Sequence, residues 1–208
     1  EWMADAGTDA VVVGVLEQDL FAAVENLEII AGEANRAGMK LFVTPSRWGS
    51  LVAGCPKVPS LFSAKNPGVW SVNKDGSPGI SAFGPFASVH HPATFEFFAE
   101  SLEKMFSIAP VEGIIWDEVK GLKNKDYSPA AQKALKDKDI DDVNVHIDAK
   151  AGFFEKVNAE ALKLSPDCMI SMFIFGHLKG YTVERLAQIP NLDCFGLDGR
   201  PYRSEDGG

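Results

Sequence analysis

Cysteine is scarce in this chain. Only Cys55, Cys168 and Cys194 occur in 208 residues, an odd number with no CxxC spacing, so neither a disulfide framework nor a zinc site is indicated. Positive charge is also in short supply. Lys plus Arg number 20 against 29 Asp plus Glu, for a net charge of -9, and no basic stripe is present, which argues against a nucleic-acid partner. Long apolar runs are missing too: Ala10 to Leu16 and Met169 to Phe175 are the longest, far short of the roughly 18 to 20 residues of a membrane span. No GxGxxG or GxxxxGK[ST] follows any apolar run, so the nucleotide-binding signatures of open-sheet folds are absent and no cofactor is indicated. The chain opens at Glu1 without a basic-then-apolar leader, which leaves the compartment open, a secreted or periplasmic one included.

What is present reads as one globular domain over residues 1 to 208, with 46% of positions hydrophobic and 24% charged. The continuous run Ala10 to Leu16 reads as a parallel strand covered on both faces. Leu27, Ile30, Ala31 and Ala34 then mark a helix closed by Gly38, and Lys40 to Pro45 a second strand. Periodicity vanishes between residues 49 and 91, where prolines, glycines and Trp70 suggest a long loop insertion serving as a lid. From Pro92, the residues Phe95, Phe98, Ala99, Leu102, Met105 and Phe106 recur at helical spacing. Val111 to Trp116 is a third strand, ending in Asp117 and Glu118. Residues 119 to 148 read as a charged surface excursion. A helix through Phe154, Val157, Ala161 and Leu164, a strand from Cys168 to Phe175, a short helix capped by Thr182, and a fifth strand from Leu192 to Asp198 complete the pattern.

Strands alternating with helices predict a parallel sheet, and the choice lies between a doubly wound sheet and a (β/α)8 TIM barrel. Barrel enzymes carry catalytic groups at the C-terminal ends of several strands. Glu17, Arg47, Asp117, Glu118, His177 and Asp198 all stand there, so the barrel is favoured. Five strands fall short of eight, and the expectation is an incomplete barrel, with strands before Glu1 and after Gly208 outside the sequence. Strand parity directs Asp198 inward with Gly196 and Cys194, and Asp117 inward with Ile115 and Gly113. The same parity turns Glu118 toward the helices unless the strand bends.

The stretch His90-His91-Pro92-Ala93-Thr94-Phe95, an aromatic helix, and then Pro110-Val111-Glu112-Gly113-Ile114-Ile115-Trp116-Asp117-Glu118 resembles hypothetical glycoside hydrolase families built on a TIM barrel. There a comparable helix start precedes a V-D-G-I-x-F-D-E strand whose terminal Asp is taken as the catalytic carboxylate. The resemblance covers about 30 residues, departs at Glu112 and Trp116, and implies a catalytic role for Asp117 with Glu118 beside it.

Glycoside hydrolysis needs two carboxyl groups flanking the scissile bond, and Asp117 with Asp198 is the expected pair. Glu118 and Glu17 stand in reserve, Glu17 being read either as an active-site acid or as a backbone anchor. Trp48 and Trp70 are candidate sugar platforms, and Arg47, His177, Arg200 and Tyr202 candidate hydrogen-bonding groups around a carbohydrate substrate. His90 and His91 read as capping or surface groups. Two other readings stand beside the hydrolase: a divalent-metal-dependent sugar isomerase or epimerase using Glu17, Asp117, Asp198 and His177, and a sugar-binding barrel without turnover.

Overall fold

The computed structural model describes residues 2–198. A short helix α1 (Trp2–Asp5) leads into β1 (Ala10–Val15), followed by α2 (Glu17–Phe21), α3 (Glu25–Arg36) and β2 (Lys40–Pro45). The segment after β2 holds α4 (Leu61–Lys65) and a small antiparallel hairpin, β3 (Ile80–Ser81) with β4 (Gly84–Pro85). Then come α5 (Pro92–Ile108), β5 (Gly113–Trp116), α6 (Pro129–Ala134), α7 (Val143–Leu164), β6 (Met169–Phe175), α8 (Tyr181–Ala187) and β7 (Cys194–Asp198). The main sheet has five strands in the order β1-β2-β5-β6-β7, all parallel. Each of its strands therefore lies beside the next one in the chain, with no reversal of order.

That order decides where the helices go. Right-handed crossovers between successive neighbours put every connecting helix on the same side of the sheet. The side chains agree: Leu41, Val43, Ile114, Trp116, Ile170, Met172 and Ile174 point to one face and are buried. On the other face Val12, Phe42, Thr44, Ile115, Met169, Ser171, Phe173, Phe175, Cys194 and Asp198 all retain solvent exposure. The expectation that the first strand is covered on both faces is corrected here. Val12 is 57% exposed, because a run of consecutive valines cannot reveal which of its two faces has a covering layer.

The helix layer packs on an aromatic cluster. Phe98 of α5 meets Trp48, Phe153 and Phe154 edge to face, at 5.7, 5.1 and 6.5 Å between ring centroids. Trp116 meets Phe154 at 5.4 Å and donates its Nε1–H to Asn158 Oδ1 at 2.9 Å. Helix α5 starts where expected: Pro92 occupies its first turn and His91 Nδ1 accepts from the Ala93 N–H. Its buried stripe runs through Thr94, Phe97, Phe98, Ser101, Leu102 and Met105, leaving Phe95 and Phe106 half-buried at the margin. Asp142 caps α7 by accepting from the Asn144 N–H. Gly180, not Thr182, precedes α8, and Thr182 is buried inside it.

The two stretches that lack periodicity are nevertheless ordered by polar bonds. Trp70 Nε1–H donates to the Ser63 carbonyl at 2.6 Å, and Ser88 N–H to Val69 O at 2.7 Å. Asp126 Oδ1 accepts from the N–H groups of Val72 and Ser128, tying the two stretches together. Reading residues 119 to 148 as solvated surface therefore needs correction, since Asp126 and His146 are buried.

Candidate active site at the C-terminal ends of the strands

The polar groups after β1, β2, β5, β6 and β7 share one edge of the sheet because all five strands run the same way. Gly14 near the end of β1 is a close-approach position: a Cβ there would lie 2.6 Å from the Cys55 carbonyl oxygen. The loop after β2 can therefore fold across this edge. Its backbone is pinned to the segment after β5. Ala53 N–H donates to Asp117 O, Gly54 N–H to Asp117 Oδ2 at 3.1 Å, and Lys120 N–H to Leu51 O.

Asp117 follows β5 directly, is half-buried, and keeps Oδ1 free of any of these bonds. Glu118 adopts φ +39°, so the strand does bend at this point. Its carboxylate pairs with Lys120 Nζ at 2.6 Å, and the same ammonium lies 4.2 Å from the centre of the Phe175 ring at the end of β6. The bend thus brings Glu118 back over the uncovered face. Asp198 ends β7, pairs in register with Phe175, and is exposed; its carbonyl accepts from the Gly176 N–H at 2.7 Å. His177 is exposed, its ring 5.3 Å from that of Phe175.

Glu17 is only 5% exposed. Its carboxylate accepts from Ser60 Oγ–H at 2.6 Å and from Phe62 N–H at 2.7 Å, which anchors the start of α4. Burial pushes its pKa up, partly offset by those hydrogen bonds. Trp48, expected as a sugar platform, is instead core: it is 0% exposed and its Nε1–H is held by the Val15 carbonyl. Trp70 is half-buried and anchored at its indole nitrogen. Arg200 and Tyr202 lie outside the described residues.

Arg47 lies in the left-handed region, with φ +63°, and its guanidinium carbon sits 4.3 Å from the centre of the Phe83 ring. With Ser50, Ser81, Ala82, Phe83 and Lys120 it lines a cavity of about 200 Å³. Lys120, Phe83 and Ser50 carry no motif in the sequence; only the folding of two loops over one edge brings them to the site.

A second polar cluster lies under the same loops, lined by His90, Asp126, His146 and Lys150. Lys150 Nζ donates to the Asn124 carbonyl at 2.9 Å, and burial pushes its pKa down to about 8. Burial likewise lowers the pKa values of His90 and His146. Among the described residues no three His, Cys, Asp or Glu side chains gather closely enough to hold a metal ion.

No protein-family model and no curated protein matches the chain. Solved structures do. It is similar to a β-galactosidase from Rahnella sp. R3 with a TM-score of 0.66 and 14% identity, covering 98% of this chain and 36% of that one. It is similar to α-L-fucosidase isoenzyme 2 from Paenibacillus thiaminolyticus with a TM-score of 0.60 and 10% identity, covering 94% and 41%. It is also similar to an α-galactosidase from Lactobacillus brevis, with a TM-score of 0.59 and 12% identity, covering 82% and 23%. The chain spans less than half the length of each, and at these identities the likeness is one of fold: the backbone path is that of a stretch of several glycoside hydrolases.

Proposed function

We propose that this chain forms part of a (β/α)8 barrel glycoside hydrolase in which Asp117 and Asp198 are the catalytic carboxyl pair. The observation that carries this reading is the bare face of the sheet. Parallel sheets are covered on both faces, yet helices line only one face here, and the other keeps Val12, Phe42, Met169 and Phe173 partly in water. Further strands continuing the unreversed order beyond β1 and β7 would enclose that face as a barrel interior. The fold likeness to galactosidases and a fucosidase supports the same reading. Both aspartates then stand at the rim where barrel enzymes do their chemistry.

Register suggests the geometry. Trp116 pairs with Met172, and Phe173 and Phe175 with Gly196 and Asp198, so Asp198 lies two strand spacings across from Asp117 and two residues further along the strand direction, about 12 Å away at the backbone. Side chains leaning toward each other across that gap suit the wider carboxyl separation of about 6.5–9.5 Å, which leaves room for a water on the far side of the sugar. One aspartic acid would then protonate the leaving oxygen and the other, as carboxylate, would take a proton from that water. Glu17, held by Ser60 and Phe62, serves as an anchor.

Kinetics on aryl galactosides, fucosides and glucosides test this. Asp117→Asn and Asp198→Asn are each expected to lower kcat by about 10²–10⁴-fold with unchanged melting temperature. Turnover in both variants within a factor of about two of the parent removes the assignment, given that general acid–base loss is far larger. Substrate binding without turnover in the parent would favour a sugar-binding barrel.

A further inference from the structure

The cavity beside Arg47 holds an unusual charge balance. Arg47 is 5% exposed, its Nε has no hydrogen-bond partner, and it takes part in none of the ion pairs among the described residues. Ser50, 4% exposed and lining the same cavity, also leaves its hydroxyl without a partner. Of the other polar groups there, Ser81 donates to the Gly84 carbonyl and accepts from the Phe83 N–H, and Lys120 is already neutralised by Glu118 at 2.6 Å. Arg47 and Ser50 thus line one open space, and among the described residues the positive charge of the guanidinium has no carboxylate partner. A largely buried guanidinium without an anion is unfavourable by general solvation arguments, and unpartnered buried donors are rare enough to need a cause. Structural packing does not supply one: Phe83 covers a face of the guanidinium, which leaves its edge for a planar, bidentate acceptor.

Resting on the hydrolase reading, we infer that this cavity receives the carboxylate of a uronic acid residue, held by the Arg47 guanidinium. Several features make the match. A single uncompensated charge suits a monoanion. The planar fork suits a carboxylate in its own plane. A volume of about 200 Å³ has room for the carboxylate and part of the ring that bears it. The loop carrying Arg47 is bonded to Asp117 through Ala53 and Gly54, so an acidic sugar bound there lies next to the proposed catalytic carboxyl. The site would select acidic polysaccharide fragments over neutral ones.

The test compares aryl glucuronides and galacturonides of both anomers with the matching glucosides and galactosides, and with sugar 6-sulfates, on the parent and Arg47→Gln. The parent is expected to favour a uronide in kcat/KM by about tenfold or more, the scale of one charge-assisted bidentate contact, and Arg47→Gln to collapse that ratio. Calorimetric titration with sodium glucuronate and galacturonate separates the two claims. Uronate binding lost in Arg47→Gln, with no hydrolysis of any glycoside, keeps the anion site and removes the hydrolase. Hydrolysis of neutral glycosides as fast as uronides, or a preference for 6-sulfates, overturns the uronate assignment and leaves the hydrolase standing. Melting of the variant adds a check independent of activity: removing an unpaired buried charge should hold or raise Tm, and a marked fall shows that Arg47 has a structural partner and overturns the proposal.

Discussion

His146 has both ring nitrogens committed. Nδ1 accepts from the Asp126 N–H at 3.2 Å and Nε2 donates to the Ile140 carbonyl at 2.9 Å, an arrangement that only the neutral ring can make. Protonation at Nδ1 would set a second donor against the Asp126 N–H. Burial lowers its pKa, as it does that of His90 across the cluster. A lowered imidazole pKa means that the folded protein resists taking up a proton the unfolded chain accepts below about 6.5. Stability is therefore full above that value and falls as pH drops through it toward the lower folded pKa. Lys150 follows the same sign at higher pH. With its folded pKa at about 8 against an ordinary 10.5, on the order of 3 kcal/mol of penalty is present below pH 8 and is relieved as pH rises toward 10.5. Glu17 works in the opposite sense, its raised pKa favouring the folded state as pH falls toward 4.5. The histidine contribution can be isolated. The loss of Tm between pH 7 and pH 5 is expected to be smaller in His146→Gln than in the parent; equal slopes would show that His146 does not titrate in this window.

At the scale of elements, the uncovered face of the sheet alternates rings with glycines. Gly113 on β5 faces the Phe42 ring of β2, where a Cβ would come within 2.3 Å of it and 3.1 Å from the Met169 carbonyl oxygen. Gly196 on β7 faces Phe173 of β6 in the same way, at 2.6 Å. Gly113→Ala is expected to cost about 1–3 kcal/mol in urea denaturation, as overpacking does. Phe42→Leu, which shortens the obstructing ring, should recover part of that loss in the double variant. Strictly additive losses would contradict ring crowding as the cause.

Much of this element pattern was legible beforehand. The five strands and helices α3, α5 and α7 were visible as apolar runs or i, i+3, i+4 stripes, because periodic burial leaves a periodic trace. The segments 49–91 and 119–148 were not, since their order rests on Ser60, Ser63, Asp126 and Ser128 bonding to backbone groups far away in sequence. Such bonds leave no repeat. Asp117 and Asp198 could be placed at strand ends by parity, whereas Glu118 needed the observed left-handed turn to bring it over the uncovered face. Trp48 was misjudged because a tryptophan in a loop gives no sign of whether the loop folds inward.

For the whole molecule, chain order and sheet order coincide across five parallel strands, and this gives the sheet two unlike faces: one buried under helices, one half in water. A doubly wound sheet would reverse its order and place helices on both faces. The common direction of the five strands gathers the strand-end groups at one rim, with the pinned loop of residues 47–54 beside Asp117. The proposed hydrolysis depends on Asp117 and Asp198 turning toward a common space above the uncovered face. A crystal structure of the protein with a bound sugar measures this directly. The account predicts the two carboxyl groups about 6.5–9.5 Å apart on either side of a glycosidic oxygen. Carboxyls more than about 12 Å apart, beyond either hydrolytic geometry, or directed to opposite faces of the sheet, would contradict it.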